Sequence, residues 1–372
     1  MSNFFETSYG DRIAIDSRVE KTIYPLSADV AYVKDRIEFG FGGERFHQKR
    51  IVNKVSIKKI ASDLNSYTLL IDFLEELRLL SRSYGTAIDI AGAEGVHASL
   101  LRGNYAEHVE VADIADGSDP DLTKKLKRAL WKYRFYKIQD RLTGRSRRVK
   151  DRKHVNLPSF KNYYNFRFKR TPKVDAFIVG DWRETLTKRY DFIMNFMSFW
   201  MWDHKTAIPK IASALNPGGV FATLAPYCWG GRQLGDGGGI IGGAFPFFEQ
   251  RLTVADQTRY YEQFKPELAN IVEESSRFFD PHRPTLNQYI QCALESGLAV
   301  RGTKRVFNAD PNLALTYREF SGDKIIYNPG NKAGAIVADA GEILKNIGRF
   351  RSDITYEDLI TRGVIMVFQK PL

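Results

Sequence analysis

The residues best suited to chemistry lie around a short glycine turn. The run Thr86-Ala87-Ile88-Asp89-Ile90 is followed at once by Ala91-Gly92-Ala93-Glu94-Gly95. Small residues between a strand and a helix let a ligand approach the backbone, and the first N–H groups of the helix can bind it. Eighteen residues beyond Gly95, Asp113 lies in a second apolar run, where a carboxylate can accept hydrogen bonds from both hydroxyls of a ribose. The spacing predicts a ligand that contains a nucleoside.

The two glycine-containing segments of the chain do not match the common phosphate-binding motifs. A dinucleotide-binding turn has a further glycine two residues before Gly92, where this chain has Ile90. The glycine-rich stretch at 230–243 is not a P-loop, because no Gly-Lys-Ser or Gly-Lys-Thr follows it. That stretch is expected to be either a lid over a substrate or an ordinary surface loop. The polar and aromatic residues near it are Tyr227, Trp229, Arg232 and Asp236.

Alternating helical and extended patterns position these residues. Helices are predicted where apolar residues recur every three or four positions, and buried parallel strands where short apolar runs lie between turn residues. The predicted helices are 64–80, with Ser62 or Asp63 as its N-cap, 96 to about 102, 206–215 and 285–297. The predicted strands are 86–90, after a break at Gly85, then 109–114, 174–179, 191–196, 220–224, 298–307 and 364–368, with a turn at 216–219. Strands separated by helices predict a doubly wound, mostly parallel α/β sheet.

Five of these segments resemble, in order, the motifs of class I S-adenosylmethionine-dependent methyltransferases. They are 86–95, 109–114, Val179-Gly180-Asp181-Trp182, Tyr190-Asp191-Phe192-Ile193-Met194 and Ala214-Leu215-Asn216-Pro217-Gly218-Gly219-Val220-Phe221. The Leu-x-Pro-Gly-Gly turn is the most specific of them. The resemblance implies a Rossmann-like core of seven strands with an antiparallel closing strand, in a domain at 64–372 preceded by an N-terminal extension at 1–63. Insertions are expected at about 117–173, 230–284 and 308–362.

The resemblance also implies S-adenosylmethionine as the cofactor and a set of residues around it. These residues follow successive strands, so that the amino-acid part, the ribose, the adenine and the sulfonium would each meet a different motif. In that order they are Asp89 with the backbone of Gly92 and Gly95, Asp113 with Ile114, Asp181 with Trp182, and Asn195. The chain departs from the family's Asp-x-Gly-x-Gly-x-Gly pattern by having Ala91 and Ala93 at the first two glycine positions.

A hydroxyl acceptor would also need a base. Methyl transfer from a sulfonium is an in-line displacement, to which an enzyme contributes mainly alignment and desolvation. His204 follows the fourth strand at the edge where active sites of open α/β sheets lie, and it is the candidate base, with Asp203 as second choice. The alternative is that His204 only caps the following helix. His97 is expected to pack in the fold or to lie at the edge of the cofactor, and residues 195–198 lack the Asn-Pro-Pro-Tyr pattern of adenine-amine methylation.

One segment makes the protein basic. The chain has a net charge of +11, but residues 121–173 hold 19 Lys and Arg against 3 Asp, a net of +16, and the rest of the chain is net −5. Apolar residues at helical spacing from Leu122 to Ile138 predict an amphipathic basic helix. Three interpretations stay open: a nucleic-acid-binding surface with interleaved aromatics, a helix on an anionic membrane surface, and a solvated insertion whose aromatics pack on the core.

Composition narrows the class of protein. With 43% hydrophobic and 27% charged residues, the chain is typical of a folded globular protein. The longest apolar run, 192–202, is shorter than the roughly 18 residues that span a bilayer, and the first residues lack the pattern of a secretory signal, so a cytoplasmic protein is expected. Cys228 and Cys292 are too few for a disulfide framework or a zinc cluster, so both are predicted to be buried thiols and no metal site is expected.

The expected function is methylation of a small-molecule or glycan-type acceptor, at oxygen, with S-adenosylmethionine as the donor. RNA methylation through the basic segment is the alternative that the charge favours. A third hypothesis is a catalytically silent nucleoside-binding partner subunit. Such a subunit would retain Asp89, Asp113 and Asp181 without any acceptor-site chemistry.

Overall fold

The computed structural model describes most of the chain in two compact units. The described residues are 4–22, 57–80, 83–114, 116–128, 131, 168–196, 198–199, 202–227, 229, 245–266, 269, 284–307, 318–327 and 335–372. The core unit comprises residues 47–225, 289–304 and 365–372, and the second unit comprises 1–46, 226–288 and 305–364.

Helices and strands alternate along most of the described chain. The strands are β1 (Phe4–Glu6), β2 (Arg12–Ala14), β3 (Tyr84–Ile90), β4 (Ala106–Asp113), β5 (Ala176–Val179), β6 (Tyr190–Phe196), β7 (Leu215–Pro226), β8 (Ala299–Phe307), β9 (Arg318–Ser321), β10 (Lys324–Tyr327), β11 (Ile336–Asp339) and β12 (Thr361–Gln369). The helices are α1 (Ser17–Thr22), α2 (Ile57–Glu76), α3 (Val96–Asn104), α4 (Trp182–Thr185), α5 (His204–Ala214), α6 (Phe248–Arg251), α7 (Val254–Phe264), α8 (Leu286–Glu295), α9 (Ala340–Ile347) and α10 (Tyr356–Ile360). In the described ranges, no helix combines the length and the apolar character that crossing a bilayer requires.

Seven strands form one sheet in the order β5-β4-β3-β6-β7-β12-β8. The strands from β3 to β7 pair in parallel. β12 is antiparallel to β7. The start of β7 lies beside the end of β12, since Gly218 and Gly219 exchange 2.9 Å backbone hydrogen bonds with Lys370, just beyond the end of β12. The predicted fold class is confirmed: the sheet is doubly wound and mostly parallel, with an antiparallel closing strand, as in the class I methyltransferase core.

Apolar side chains explain why the central strands lie where they do. Ile88 and Ile90 in β3 and Val109 and Val111 in β4 are completely inaccessible to solvent, as expected for strands covered on both faces. In α2, the predicted stripe packs inward, with Leu74 at 0% exposure. Burial of these side chains supplies the main driving force for the layered arrangement.

Two boundaries at β3 and α2 differ from the sequence-based predictions. α2 begins at Ile57, before the predicted caps Ser62 and Asp63, so neither residue caps it. Gly85 lies inside β3 and does not precede it. A Cβ on Gly85 would lie 3.0 Å from Asp191 Oδ2, so a small residue lets the two strands approach closely.

The predicted turn at 216–219 is part of β7. Tyr190 of β6 pairs with Leu215 of β7, and Phe192 pairs with Val220. Two residues along β6 therefore correspond to five along β7. This irregularity is a β-bulge, and Gly218 has a φ of 72° within it. The turn residues therefore bend a strand at its start and do not precede it.

The second unit contains the described start of the expected N-terminal extension. β1 pairs with β2 in an antiparallel hairpin. Ser8 donates to the buried Asp256 carboxylate through its backbone N (2.8 Å) and its Oγ (2.9 Å). Arg349 pairs with Asp11 at 3.1 Å and holds the pKa of that carboxyl below its ordinary value. Long-range polar contacts thus fix the hairpin within this unit.

Candidate active site

The turn between β3 and α3 is built around a buried carboxylate. Asp89 is completely inaccessible to solvent. A Cβ on Gly92 would lie 2.7 Å from Asp89 Cγ, so only a residue without a side chain fits there. Gly95 has a φ of 73° and is the N-cap residue of α3. The structure therefore brings the three residues predicted for the cofactor's amino-acid part into one turn.

Asp113 ties the end of β4 to this turn. Its carboxylate is 4% exposed, and Oδ2 accepts a hydrogen bond from the backbone N of Ala93 at 2.8 Å. A second bond, from the N of Ala91 to the carbonyl of Ala112 (2.7 Å), joins the same two elements. The carboxylate is thus positioned at the carboxyl edge of the sheet by the backbone of the glycine turn.

An apolar rim extends from Asp113 along the sheet edge. Ile114 is 40% exposed and lies just after the end of β4, outside the strand that was predicted to include it. Val179, at the end of β5, is 56% exposed and pairs with Asp113 in the neighbouring strand β4. Large apolar side chains that remain exposed at this edge offer a surface for a flat, uncharged group.

Asp181 and Trp182 have structural roles at the start of α4. Asp181 caps this helix by accepting from Arg183 N at 2.9 Å, and it also forms an ion pair with the Arg183 side chain. The Arg183 guanidinium lowers the pKa of Asp181. Trp182 is 3% exposed and packs against Trp202 at 4.7 Å between ring centroids. Its indole N–H has no hydrogen-bond partner in the described part of the chain.

Asn195 links the ends of three strands. It is completely buried, and its Nδ2 donates to the carbonyl of Ile90 at the end of β3 and to Ser198 Oγ, both at 2.7 Å. Its Oδ1 accepts from Thr223 Oγ1 of β7 at 3.5 Å. The residue predicted to lie near the sulfonium thus fixes the carboxyl ends of β3, β6 and β7 relative to one another.

His204 is the first residue of α5 and is mostly buried. Its side chain is 12% exposed, and the ring packs edge-on against Tyr289 at 5.6 Å. Asp203 is the N-cap, accepting from Lys205 N at 3.1 Å, so the capping role proposed as an alternative for His204 belongs to Asp203. His204 Nδ1 lies 3.8 Å from Asp203 Oδ1. The two candidate bases are neighbours at the start of one helix.

Other predicted residues are found in packed positions. His97 stacks on Phe196 at 3.8 Å, and its Nε2 lies 3.0 Å from the carbonyl of Asp63, which is the packing role expected for it. Cys292 is a buried free thiol, as predicted, and its Sγ donates to the carbonyl of His204 at 3.4 Å. Burial raises the pKa of that thiol. Cys228 lies outside the described residues.

Tyr227 and Trp229, which flank the glycine-rich stretch, are buried within the second unit. Tyr227 Oη donates to Asp358 Oδ1 at 2.5 Å and accepts from the backbone N of Leu286 at 3.2 Å. Trp229 is 2% exposed. Stretch 230–243, with Arg232 and Asp236, lies outside the described residues.

Sequence reasoning missed an aromatic group beside His204. Phe199 packs against Trp202, Phe221 and Tyr289, with ring centroids 5.3 to 5.9 Å apart. In the sequence, Phe199 and Trp202 belong to the end of the apolar run at 192–202, beyond the predicted strand 191–196. The group reaches His204 through Tyr289, which contacts both His204 and Phe199.

Neither a family model nor a curated protein matches the chain. Matching solved structures include the N-methyltransferase NodS from Bradyrhizobium japonicum in complex with S-adenosyl-L-homocysteine, at 11% identity over 88% of this chain and 98% of that one, with a TM-score of 0.38. Another is geranyl diphosphate C-methyltransferase from Streptomyces coelicolor, at 12% identity over 80% of this chain and 74% of that one, with a TM-score of 0.37. Likenesses this low carry no argument about the chain, whose fold is assigned from its own strand order.

Proposed function

We propose that the protein binds S-adenosylmethionine at the carboxyl edge of the sheet and transfers its methyl group. The observation that carries the proposal is the bond from Ala93 N to Asp113, which sets a buried carboxylate beside a turn that has no room for a side chain at Gly92. A nucleoside needs an acceptor for its ribose hydroxyls and a close backbone approach, and this edge supplies both.

The residues at this edge fit the parts of the cofactor. The Asp113 carboxylate would accept from the ribose, and the exposed Ile114 and Val179 would cover the adenine with apolar surface. The backbone of Gly92 and Gly95 would lie around the amino-acid part, with the buried Asp89 carboxylate beneath this turn. When bound, the cofactor supplies an electrophilic methyl group, and the protein's contribution is to align an acceptor with it and to exclude water.

For the acceptor, we propose a hydroxyl of a small-molecule or glycan-type compound. A hydroxyl becomes a good nucleophile when a base takes its proton as the new bond to the methyl group forms. The His204 imidazole, beside the Tyr289 ring, would take this proton, and Asp203 is the second choice. A largely buried imidazole next to an aromatic ring suits a site from which water is excluded.

Calorimetric titration tests the cofactor. S-adenosylmethionine or its demethylated product should bind, and Asp113→Ala should weaken the affinity by roughly 1–3 kcal/mol, the cost of losing a charged hydrogen-bond acceptor. Asp116→Ala is the matched control, because Asp116 is exposed and accepts a local bond from Ser118 N. Equal or tighter binding of NADH, or equal losses in both variants, would contradict the assignment.

Turnover of labelled cofactor against a panel of hydroxyl compounds and RNAs tests the chemistry. His204→Ala should lower the turnover rate about 100-fold or more with cofactor affinity intact, because general-base catalysis contributes about that much. His108→Ala is the control, since His108 is on β4 near the opposite edge of the sheet. Binding of cofactor without turnover on any acceptor would instead support a silent partner subunit.

RNA methylation is a second candidate function. It is favoured by a specific observation, the exposed cations of the helical segment that follows β4. Methyl transfer to RNA and not to hydroxyl compounds in the same panel would replace the small acceptor with RNA while leaving the cofactor assignment in place.

A further inference from the structure

The beginning of the basic segment forms a helix with two distinct sides. Residues 122–128 and residue 131 are helical. Lys124, Lys127 and Arg128 are exposed, and Trp131 is 67% exposed. At about 100° per residue, these four positions fall within an arc of roughly 100° on the helix surface. We call these four residues the cationic stripe.

The opposite side of the helix faces the protein. Leu122 is 5% exposed and Leu126 is completely buried, and both lie roughly 160° from Lys124 around the helix. Lys125, between the two sides, is bonded to Asp119 at 2.5 Å. Thr123 Oγ1 donates to the carbonyl of Pro172 at 2.6 Å. These contacts hold the helix in place and leave the stripe as its outer face.

The loop that leads to this helix lies directly on the glycine turn. A Cβ on Gly117 would be 2.4 Å from the carbonyl oxygen of Ala93 and 3.1 Å from Glu94 N. The same Ala93 donates its N–H to Asp113. The cationic stripe therefore begins seven residues after a loop position that contacts the glycine turn of the proposed cofactor site.

We propose that the cationic stripe is a binding surface for single-stranded nucleic acid. Cations in a row can neutralise successive phosphates, and an exposed indole at the end of the row can stack on a base whatever its sequence. Trp131 and Lys124 are seven residues apart, two helical turns, so the ring and the charges lie along one line. The proposal goes beyond methyl transfer and does not depend on it.

The burial of Leu122 and Leu126 favours nucleic acid over a membrane. An amphipathic helix binds a lipid surface by inserting its apolar side. Here that side is occupied by the protein itself. Among the described residues, 122–128 and 131, the exposed side presents cations and the Trp131 ring, a combination typical of nucleic-acid surfaces.

Fluorescence anisotropy of a labelled 15-nucleotide oligouridylate tests the proposal with the full chain. Binding is expected, and the logarithm of the association constant should fall linearly with the logarithm of the salt concentration. Replacing Lys124, Lys127 and Arg128 together by Gln should reduce the slope by about 2, since each phosphate contact on a single strand contributes about 0.7. Trp131→Ala should weaken binding about tenfold, whereas Trp131→Phe should keep most of the affinity because a stacking ring remains.

Two comparisons make the result decisive. The triple variant Arg189→Gln, Lys324→Gln and Lys345→Gln removes the same charge from other exposed positions and should leave the slope within about 0.5 of the original. Equal effects of the two triple variants would show attraction to net charge alone and overturn the proposal. So would absence of oligouridylate binding near 0.1 M salt, or tighter binding to vesicles of phosphatidylcholine with phosphatidylserine than to the oligonucleotide. Thermal unfolding of every variant checks that the fold is retained.

Discussion

Two alanines hold the turn between β3 and α3 in a conformation that favours glycine. Ala91 has a φ of 54° and Ala93 a φ of 49°. In this left-handed region a Cβ costs roughly 1–2 kcal/mol. The sequence shows that alanine replaces glycine at these two positions of the family pattern, but only the dihedral angles show that the backbone keeps the glycine conformation.

Ala93→Gly should stabilise the protein by roughly 0.5–1 kcal/mol, because relief of the strained Cβ outweighs the extra freedom of glycine in the unfolded chain. Urea unfolding followed by circular dichroism measures the change. Ala98→Gly is the matched control: Ala98 is buried in the interior of α3, where the same exchange should destabilise by about 1 kcal/mol. Similar destabilisation in both variants would mean that the turn stores no strain.

The sequence predicts which side chains lie at the strand ends, but it does not predict their hydrogen-bond or ion-pair partners. The apolar run places Asp113 at the carboxyl end of the second predicted strand. Carboxyl ends of parallel strands share one edge of the sheet, where ligands bind. The bond between Asp113 and Ala93 N depends on how the turn folds back, which no pattern of residue types encodes. Similarly, the resemblance predicts that Asp181 lies at the adenine, and only the structure shows its ion pair with Arg183, two residues away.

The observed bounds of a strand agree with the predicted bounds where polar or turn residues flank the apolar run. β6 was predicted to within one residue, since Asp191 to Phe196 is flanked by charged residues on its amino side. At β7 the residues Pro217, Gly218 and Gly219 predicted a turn, but tertiary pairing with Lys370 draws them into the sheet as a bulge. Competition between local turn preference and strand pairing is decided by the partner strand, which is remote in sequence.

The amino ends of β4 and β6 are joined by a buried carboxylate. Glu110 is 3% exposed and accepts from Lys188 Nζ and Tyr190 Oη, both at 2.7 Å. His108 Nε2 lies 3.3 Å from the same side chain. Burial acts to raise the pKa of Glu110, but these donors together hold it below the ordinary value of 4.5. The ionised form is therefore the one that stabilises the fold.

Because the pKa of Glu110 is lower in the folded protein, its contribution is complete above pH 4.5 and is lost as the pH falls through the folded value. Glu110→Gln should lower the free energy of unfolding at pH 7 by about 1–3 kcal/mol and reduce the further loss on acidification. Urea titrations between neutral pH and pH 3 measure both effects.

Glu107→Gln, at an exposed position of the same strand, is the control and should change stability by less than about 0.5 kcal/mol. An unchanged pH profile in Glu110→Gln would show that other carboxylates account for the acid sensitivity.

At the scale of the whole molecule, the order of the strands in the sheet could be predicted, whereas the joining of three distant stretches into a second unit could not. The strands from β3 to β7 lie close in sequence order and follow the family pattern, so their topology could be read in advance. The second unit combines residues 1–46, 226–288 and 305–364, three stretches with no shared signal in composition. Contacts such as Ser8 with Asp256 connect positions 248 apart, and only folding brings them together.

The bond between Thr123 and Pro172 joins two residues that are 49 positions apart in the chain. Bringing these two ends together on folding costs loop-closure entropy, and the cost grows with the length of the chain between them. Replacing residues 132–167 with a Gly/Ser linker of about ten residues, long enough to span some 30 Å, should leave the sheet intact. Shortening the loop in this way should raise the free energy of unfolding by roughly 1 kcal/mol. A large loss of stability in urea unfolding would instead mean that the removed chain packs on the sheet. With a neutral linker, the same protein would show whether Lys124, Lys127, Arg128 and Trp131 suffice to hold an oligonucleotide without the remaining cations of the basic segment.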